Sequence, residues 1–168
     1  KFAHVGGSAG GILGKDLMNL PLDIDQPIKQ GVTLGSGVVL VCDEDTCAVG
    51  YLLQIMSFFE HESCGQCVPC RVGTRHMVEI LERVCDGKAD LSDLAKLEQL
   101  GRTVKDGSLC ALGSSAPNPA LTTLKYFRPE FIAHVKDRRC PAVTCKNLVV
   151  YRVIPSKCTG CQRCVKVC

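Results

Sequence analysis

The residues with the most chemistry in them are two cysteine runs of one spacing: Cys64-x2-Cys67-x2-Cys70 in SCGQCVPCR, and Cys158-x2-Cys161-x2-Cys164 in KCTGCQRCVKVC. Thiols this crowded are badly placed to pair with one another and well placed to converge on one inorganic core. A [4Fe–4S] cube takes four thiolates. The spacing lets a single loop wrap three corners, with Gly65 relieving the turn and backbone N–H groups facing the sulfides. The fourth corner of the first site must come from elsewhere. Cys110, in the glycine-flanked GSLCALG directly after a helical stretch, is expected to supply it. Arg71, beside the run, would favour a reduced, more negative cluster and raise its potential. The competing readings are zinc and plain buried thiols, although zinc more often draws its ligands from two separated Cys or Cys/His pairs.

The second run continues to Cys168 and makes the C-x2-C-x2-C-x3-C pattern with which bacterial-type ferredoxins open. In that pattern the last cysteine binds a different cluster from the first three. Cys158, Cys161 and Cys164 are thus expected on one cluster and Cys168 on its neighbour. The missing ligand belongs to a second such run, so the 168 residues read as an excerpt of a longer polypeptide. A zinc knuckle is the alternative. A third group is His134, Cys140 and Cys145, with Pro141 stiffening the loop. An imidazole and two thiolates make three-quarters of a closed tetrahedral zinc site, and Cys47, after DEDT, is the candidate fourth ligand. Against this stands the reading of spare thiols and a surface histidine. Cys42, in a strand, and Cys85, on a helix, read as small buried hydrophobes.

The elements that must position these groups divide the chain. Residues 1–49 are rich in glycine and β-branched residues, with a buried strand expected from Val38 to Cys42. GGSAGGILG resembles a phosphate loop but lacks the G-x-G-x-x-G register, and reads as a flexible turn. Residues 50–136 are helical. YLLQIMSFFEHE is apolar nearly all round, as in a buried helix. The next helix puts Met77, Ile80, Leu81 and Val84 on one face, with a Glu79–Arg83 pair and a stop at Gly87. A third carries Leu94, Leu97, Leu100 and Val104, with Ser92 as cap and Gly107 as stop. A fourth starts at Asn118-Pro119 and breaks or kinks before Pro129. Residues 137–148 are irregular and carry Cys140 and Cys145 of the candidate zinc group, and 149–168 begin the ferredoxin-like segment. The fold class is α+β, in several units: a small β-rich domain, a four-helix iron–sulfur domain and the start of a ferredoxin domain.

Composition narrows the partners. An odd cysteine count arranged in triplets points to free thiolates in a reducing, cytoplasmic interior rather than to disulfides. The formal charge of +3 counts thiols as neutral, basic runs are short and aromatics are 5%, so no nucleic-acid partner is expected. YLLQIMSFF is too short to span a bilayer, and KFAHVGGSAGG lacks the features of a signal peptide. His4, His61 and His76 lack a nucleophile in any motif and read as core or surface histidines. Asp23 and Asp25 alternate in an extended segment facing solvent or a turn. No NAD or flavin motif is present.

ESCGQCVPCRVGT followed by GSLCALGSSAPNPALTTLKYFRPEF is similar to the C-terminal part of the NADH-binding flavoprotein subunit of respiratory complex I and its soluble relatives. The resemblance spans roughly residues 1–136. It implies one [4Fe–4S] cluster on Cys64, Cys67, Cys70 and Cys110. It also implies that KFAHVGGSAGG…GVTLGSGVVLVCDE is a β-grasp-like domain missing its front, and that FMN and NAD(P)H bind in a preceding part. Beyond residue 136 the chain resembles the flavoprotein subunit of soluble, often electron-bifurcating, NAD(P)-linked [FeFe]-hydrogenases. There a zinc site at the hinge fits His134, Cys140, Cys145 and, more weakly, Cys47. The partners implied are a hydrogenase catalytic subunit, a small [2Fe–2S] thioredoxin-like subunit and ferredoxin. The equivalent subunit of an NAD-dependent formate dehydrogenase or a complex I variant is the first alternative. A zinc-structured interaction module without a redox role is the second.

Overall fold

The computed structural model describes residues 1–166; Cys168, proposed on the neighbouring cluster, lies outside the described residues. Three short strands, β1 (Phe2–Val5), β2 (Gly11–Gly14) and β3 (Val39–Cys42), form an antiparallel sheet in the order β2-β1-β3. Phe2 pairs with Gly14 on one side and Cys42 on the other. The glycine-rich stretch is the β1–β2 connection. Gly6 sits at φ +93°, where a Cβ would lie 2.0 Å from the Thr33 carbonyl oxygen, so only glycine fits. β3 departs from expectation. It is an edge strand, and Val41 is 69% exposed, whereas the apolar run predicts burial. Asp25 opens the short helix α1 (Asp25–Lys29) rather than continuing an extended segment, and the Asp23 carboxylate accepts the Gln26 N–H at 2.7 Å.

The helical part comprises α2 (Ala48–Glu62), α3 (Val68–Cys85), α4 (Leu91–Gly107), α5 (Ala111–Ser115), α6 (Asn118–Tyr126) and α7 (Arg128–Val135). Its core is built on Leu52, Met56, Met77, Leu81, Leu94, Leu97 and Phe131, all fully buried. The faces of α3 and α4 fall as their spacing predicts, with Leu100 partly buried at the edge of the core. α2 buries a stripe of Ala48, Val49, Leu52, Met56 and Phe59 and leaves Phe58 exposed, so it is amphipathic rather than apolar all round. Capping and pairing also differ from expectation. Asp90, not Ser92, caps α4 in a reciprocal box with Asp93. Arg83 reaches the buried Asp93 at 2.6 Å, and Glu79 pairs with Arg75 and His76 instead. The helix break falls at Phe127, between α6 and α7.

The sheet is locked to the bundle. The Ile12 N–H donates to Thr122 Oγ1 at 2.9 Å, Lys1 Nζ meets Glu130 at 2.8 Å, and Phe2 stacks edge-on with Phe127. After α7 the chain is irregular. Leu148 docks against the bundle core beside Gly87, and from Val150 onward the described residues are exposed.

Candidate metal centres

The first cysteine run occupies the turn between two helices. α2 ends at Glu62, and Ser63 follows in extended geometry as its C-cap. Gly65 turns the chain at φ +80°. Cys67 is the N-cap of α3, and Cys70 lies in that helix's first turn behind Pro69. Cys110 is the N-cap of α5, with its backbone extended after the end of α4. Helix packing brings the two loops together. Cys64, Cys67, Cys70 and Cys110 line one cavity of about 150 Å³ with Glu62, Ser63 and Leu112. Cys64 and Cys110 are exposed, Cys67 is half-buried and Cys70 is buried. Gly113 makes the approach possible, since a Cβ there would lie 2.5 Å from Ser108 Cβ and 3.2 Å from Cys70 Cβ.

Hydrogen bonds hold this loop in shape. The Ser63 hydroxyl lies 3.4 Å from Cys70 Sγ and accepts the Gly65 N–H at 3.4 Å. The Arg71 guanidinium donates to the Gly65 carbonyl, which places its charge on the loop itself. Thr74 Oγ1 donates to the Cys70 carbonyl at 2.7 Å. Four thiols and no imidazole form a soft donor set suited to iron–sulfur or zinc. Among the described residues, Cys47, His134, Cys140 and Cys145 form a contracted group, with ligand atoms all within 4.8 Å of one another.

The contracted group is the third constellation, with all four expected members gathered. His134 Nε2 stands 3.3 Å from Cys47 Sγ and 3.4 Å from Cys145 Sγ, and the two sulfurs are 3.7 Å apart. His134 is fully buried, and its Nδ1–H donates to the Glu130 carbonyl at 2.8 Å, which leaves Nε2 as the ligand atom. Cys47 is the N-cap of α2, and its sulfur accepts the Gly50 N–H at 3.3 Å. Burial pushes the Cys140 thiol up, but the backbone N–H groups of Cys145 and Thr144 outweigh it and bring it down to about 6. Burial likewise opposes charge on His134, yet the Cys47 sulfur and the Glu130 carbonyl raise it to about 9. The neighbouring Cys145 thiol, then burial, push Cys47 up. Cys47 lowers Cys145, while Cys85, burial and nearby charge drive it up to about 12. Three ligands, Cys47, His134 and Cys145, holding protons beside an acidified Cys140 is what a bound dication would relieve. The loop carries strain as well: Val143, between the two cysteines, sits at φ 56°, rare for a β-branched residue.

The remaining cysteines behave differently. Cys158 follows one short 3₁₀ turn, Cys164 opens another, and Cys161 lies between them; all three are exposed. The Arg163 N–H, first of several donors, lowers the Cys161 thiol. Cys42 is buried, as expected, but Cys85 is half-buried and stands beside Cys145. His4 is a core histidine whose Nδ1 meets the Tyr51 hydroxyl at 2.6 Å, while His61 and His76 are exposed. Sequence reasoning passes over Ser63 and Gly113. The position of Ser63, between a helix end and the first cysteine, is its only signal.

Loops at helix ends presenting four thiols to one cavity of a small bundle define the class as an iron–sulfur electron-transfer module. The chain belongs to the family described as the NADH-ubiquinone oxidoreductase-F iron-sulfur binding region, which matches residues 50–134. A 4Fe-4S binding domain matches residues 151–168. The chain is 40% identical over all 168 residues to the NADP-reducing hydrogenase subunit HndC of Solidesulfovibrio fructosivorans, covering 34% of that protein. It is 39% identical over 136 residues to an NADH-quinone oxidoreductase subunit of Rhizobium meliloti, covering 81% of this chain and 32% of that one. A crystal structure of an NAD+-reducing [NiFe]-hydrogenase in the air-oxidized state superposes over 80% of the chain and 23% of its own, with TM-score 0.72 and 30% identity. The chain spans about a third of the length of these curated relatives. Among the described residues, no helix is long and apolar enough to cross a membrane.

Proposed function

We propose that this chain is the electron-relay portion of a flavoprotein subunit in an NAD(P)-linked oxidoreductase, with one [4Fe–4S] cluster on Cys64, Cys67, Cys70 and Cys110. The observation that carries the reading is the convergence of four thiols from two separate loops on one cavity. When bound, the cluster supplies a one-electron station. The chain's own residues do the rest. Cys67 and Cys110 are the N-caps of α3 and α5, which fixes the backbone that carries them. Cys70 lies in the dry interior, whereas Cys64 and Cys110 face the surface, where a partner can approach.

The finer assignments follow from the tail. Alignment with the hydrogenase protein covers all 168 residues, whereas that with the quinone oxidoreductase relative covers 136. This favours a hydrogenase assembly over a complex I-like one, and we read the hydrogenase as a soluble, electron-bifurcating one. The partners are then a hydrogen-activating subunit, a small [2Fe–2S] subunit and ferredoxin, in the cytoplasm. FMN and NAD(P)H belong to a preceding domain, and hydride chemistry with them. Zinc on Cys47, His134, Cys140 and Cys145 pins the hinge. Cys158, Cys161 and Cys164 hold a ferredoxin-like cluster, and Cys168 a neighbouring one.

Metal analysis tests this reading. Anaerobically prepared protein is expected to hold about four irons and four sulfides in the helical part and to give an EPR signal on reduction. Zinc without iron would leave only the interaction-module reading.

A further inference from the structure

We propose that Ser63 is a positioning residue that sets the reduction potential of the cluster through an O–H···S hydrogen bond to Cys70. The inference rests on the cluster assignment above and goes beyond it. With a free thiol, either partner of the 3.4 Å contact can donate. Once Cys70 is a metal-bound thiolate it has no proton, so the hydroxyl must be the donor. Its direction is already arranged: the Gly65 N–H, at 3.4 Å, occupies a lone pair of Ser63 Oγ and leaves the O–H to face the sulfur.

The bond falls where it counts. Among the described residues, Cys70 is the one cysteine of the four whose sulfur has a hydrogen-bond partner, and at 6% exposure it is the corner water reaches least. A reduced cluster carries one more negative charge than an oxidised one, so its sulfurs accept more strongly. A hydroxyl aimed at one of them stabilises the reduced state and raises the potential. Ser63 is the C-cap of α2, which anchors its backbone to the end of that helix.

The test is the midpoint potential of the full-length protein, followed by EPR at set potentials. Ser63→Ala is expected to lower it, changing the reduced-to-oxidised ratio at a fixed potential by about tenfold, or ~59 mV for one electron. Ser63→Thr keeps a hydroxyl and is expected to restore the wild-type value. An unchanged potential in Ser63→Ala, with the cluster spectrum intact, overturns the proposal. Should the variant fail to hold iron, deuteron ENDOR of reduced wild-type protein in D2O decides. A coupled exchangeable deuteron at the Cys70 sulfur supports the bond, and its absence overturns it. Iron-free wild-type protein would instead remove the cluster reading beneath.

Discussion

The two sulfur-rich sites are built on opposite plans. The four-thiol cavity takes its groups from helix ends, with Cys64 and Cys110 exposed. The other site uses the N-cap of α2, the last turn of α7 and the strained turn after it. It draws its ligand atoms within 4.8 Å around a fully buried imidazole. A site that must exchange electrons needs a near approach to the surface and room for several metal atoms. A site that only fastens a hinge is best closed and dry. The two sites thus differ in packing and in donor set, since only the second includes an imidazole.

Cys110→Ala is the hardest break of this contrast. It is expected to lose the roughly four irons of the helical part while zinc content stays unchanged, read by metal analysis and EPR. His134→Ala is the converse. Zinc binding is expected to weaken by more than the 10- to 100-fold typical of losing an outer hydrogen-bond partner. The EPR signal should remain, and proteolysis in residues 137–148 should accelerate. In the wild type, zinc release to a chelator should speed up as pH falls. The metal-free site holds protons on His134, raised to about 9, and on Cys145, raised to about 12, so acid competes directly with the ion.

Gly113→Ala sharpens the comparison by touching only the open site. The added methyl meets Ser108 and Cys70, and a cost of about 1–3 kcal/mol is expected in thermal or chemical unfolding, with reduced iron occupancy and unchanged zinc. Asp93→Ala is the smallest step and should spare both metals. Burial opposes the charge of Asp93, but the Asp90 N–H, Lys96 and Arg83 outweigh it and hold the carboxyl below its ordinary range. Loss of the reciprocal bond that Asp93 accepts from the Asp90 N–H is expected to cost about 1 kcal/mol. A depressed carboxyl stabilises the fold above its unfolded value near ~3.9 and ceases to as pH falls below it. The gap between wild type and variant in urea melts should therefore narrow from pH 6 toward pH 3.

Much of this was legible in the cysteine spacings and in the period of α3 and α4, where Met77, Leu81, Leu94 and Leu97 fall inward as written. Pairing was less legible. Glu79 and Arg83 are spaced as partners on one helix, but the turn into α4 brings a buried carboxylate within reach of Arg83, and a desolvated charge needs its counter-ion more than an exposed one does. Ser92 and Asp90 are both good caps, and the reciprocal bond with Asp93 decided between them. The apolar run at β3 implied burial, yet on its outer side no strand covers it among the described residues.

The sequence by itself determined the donor chemistry, because thiolate softness and loop spacing are local properties that a run such as CGQCVPC carries unfolded. Tertiary structure decided which distant groups complete each site: Cys110 beside Cys70 through the gap left by Gly113, and Cys47 beside His134 across 87 residues of chain. Those meetings depend on how helices pack, and packing is set by the whole core at once.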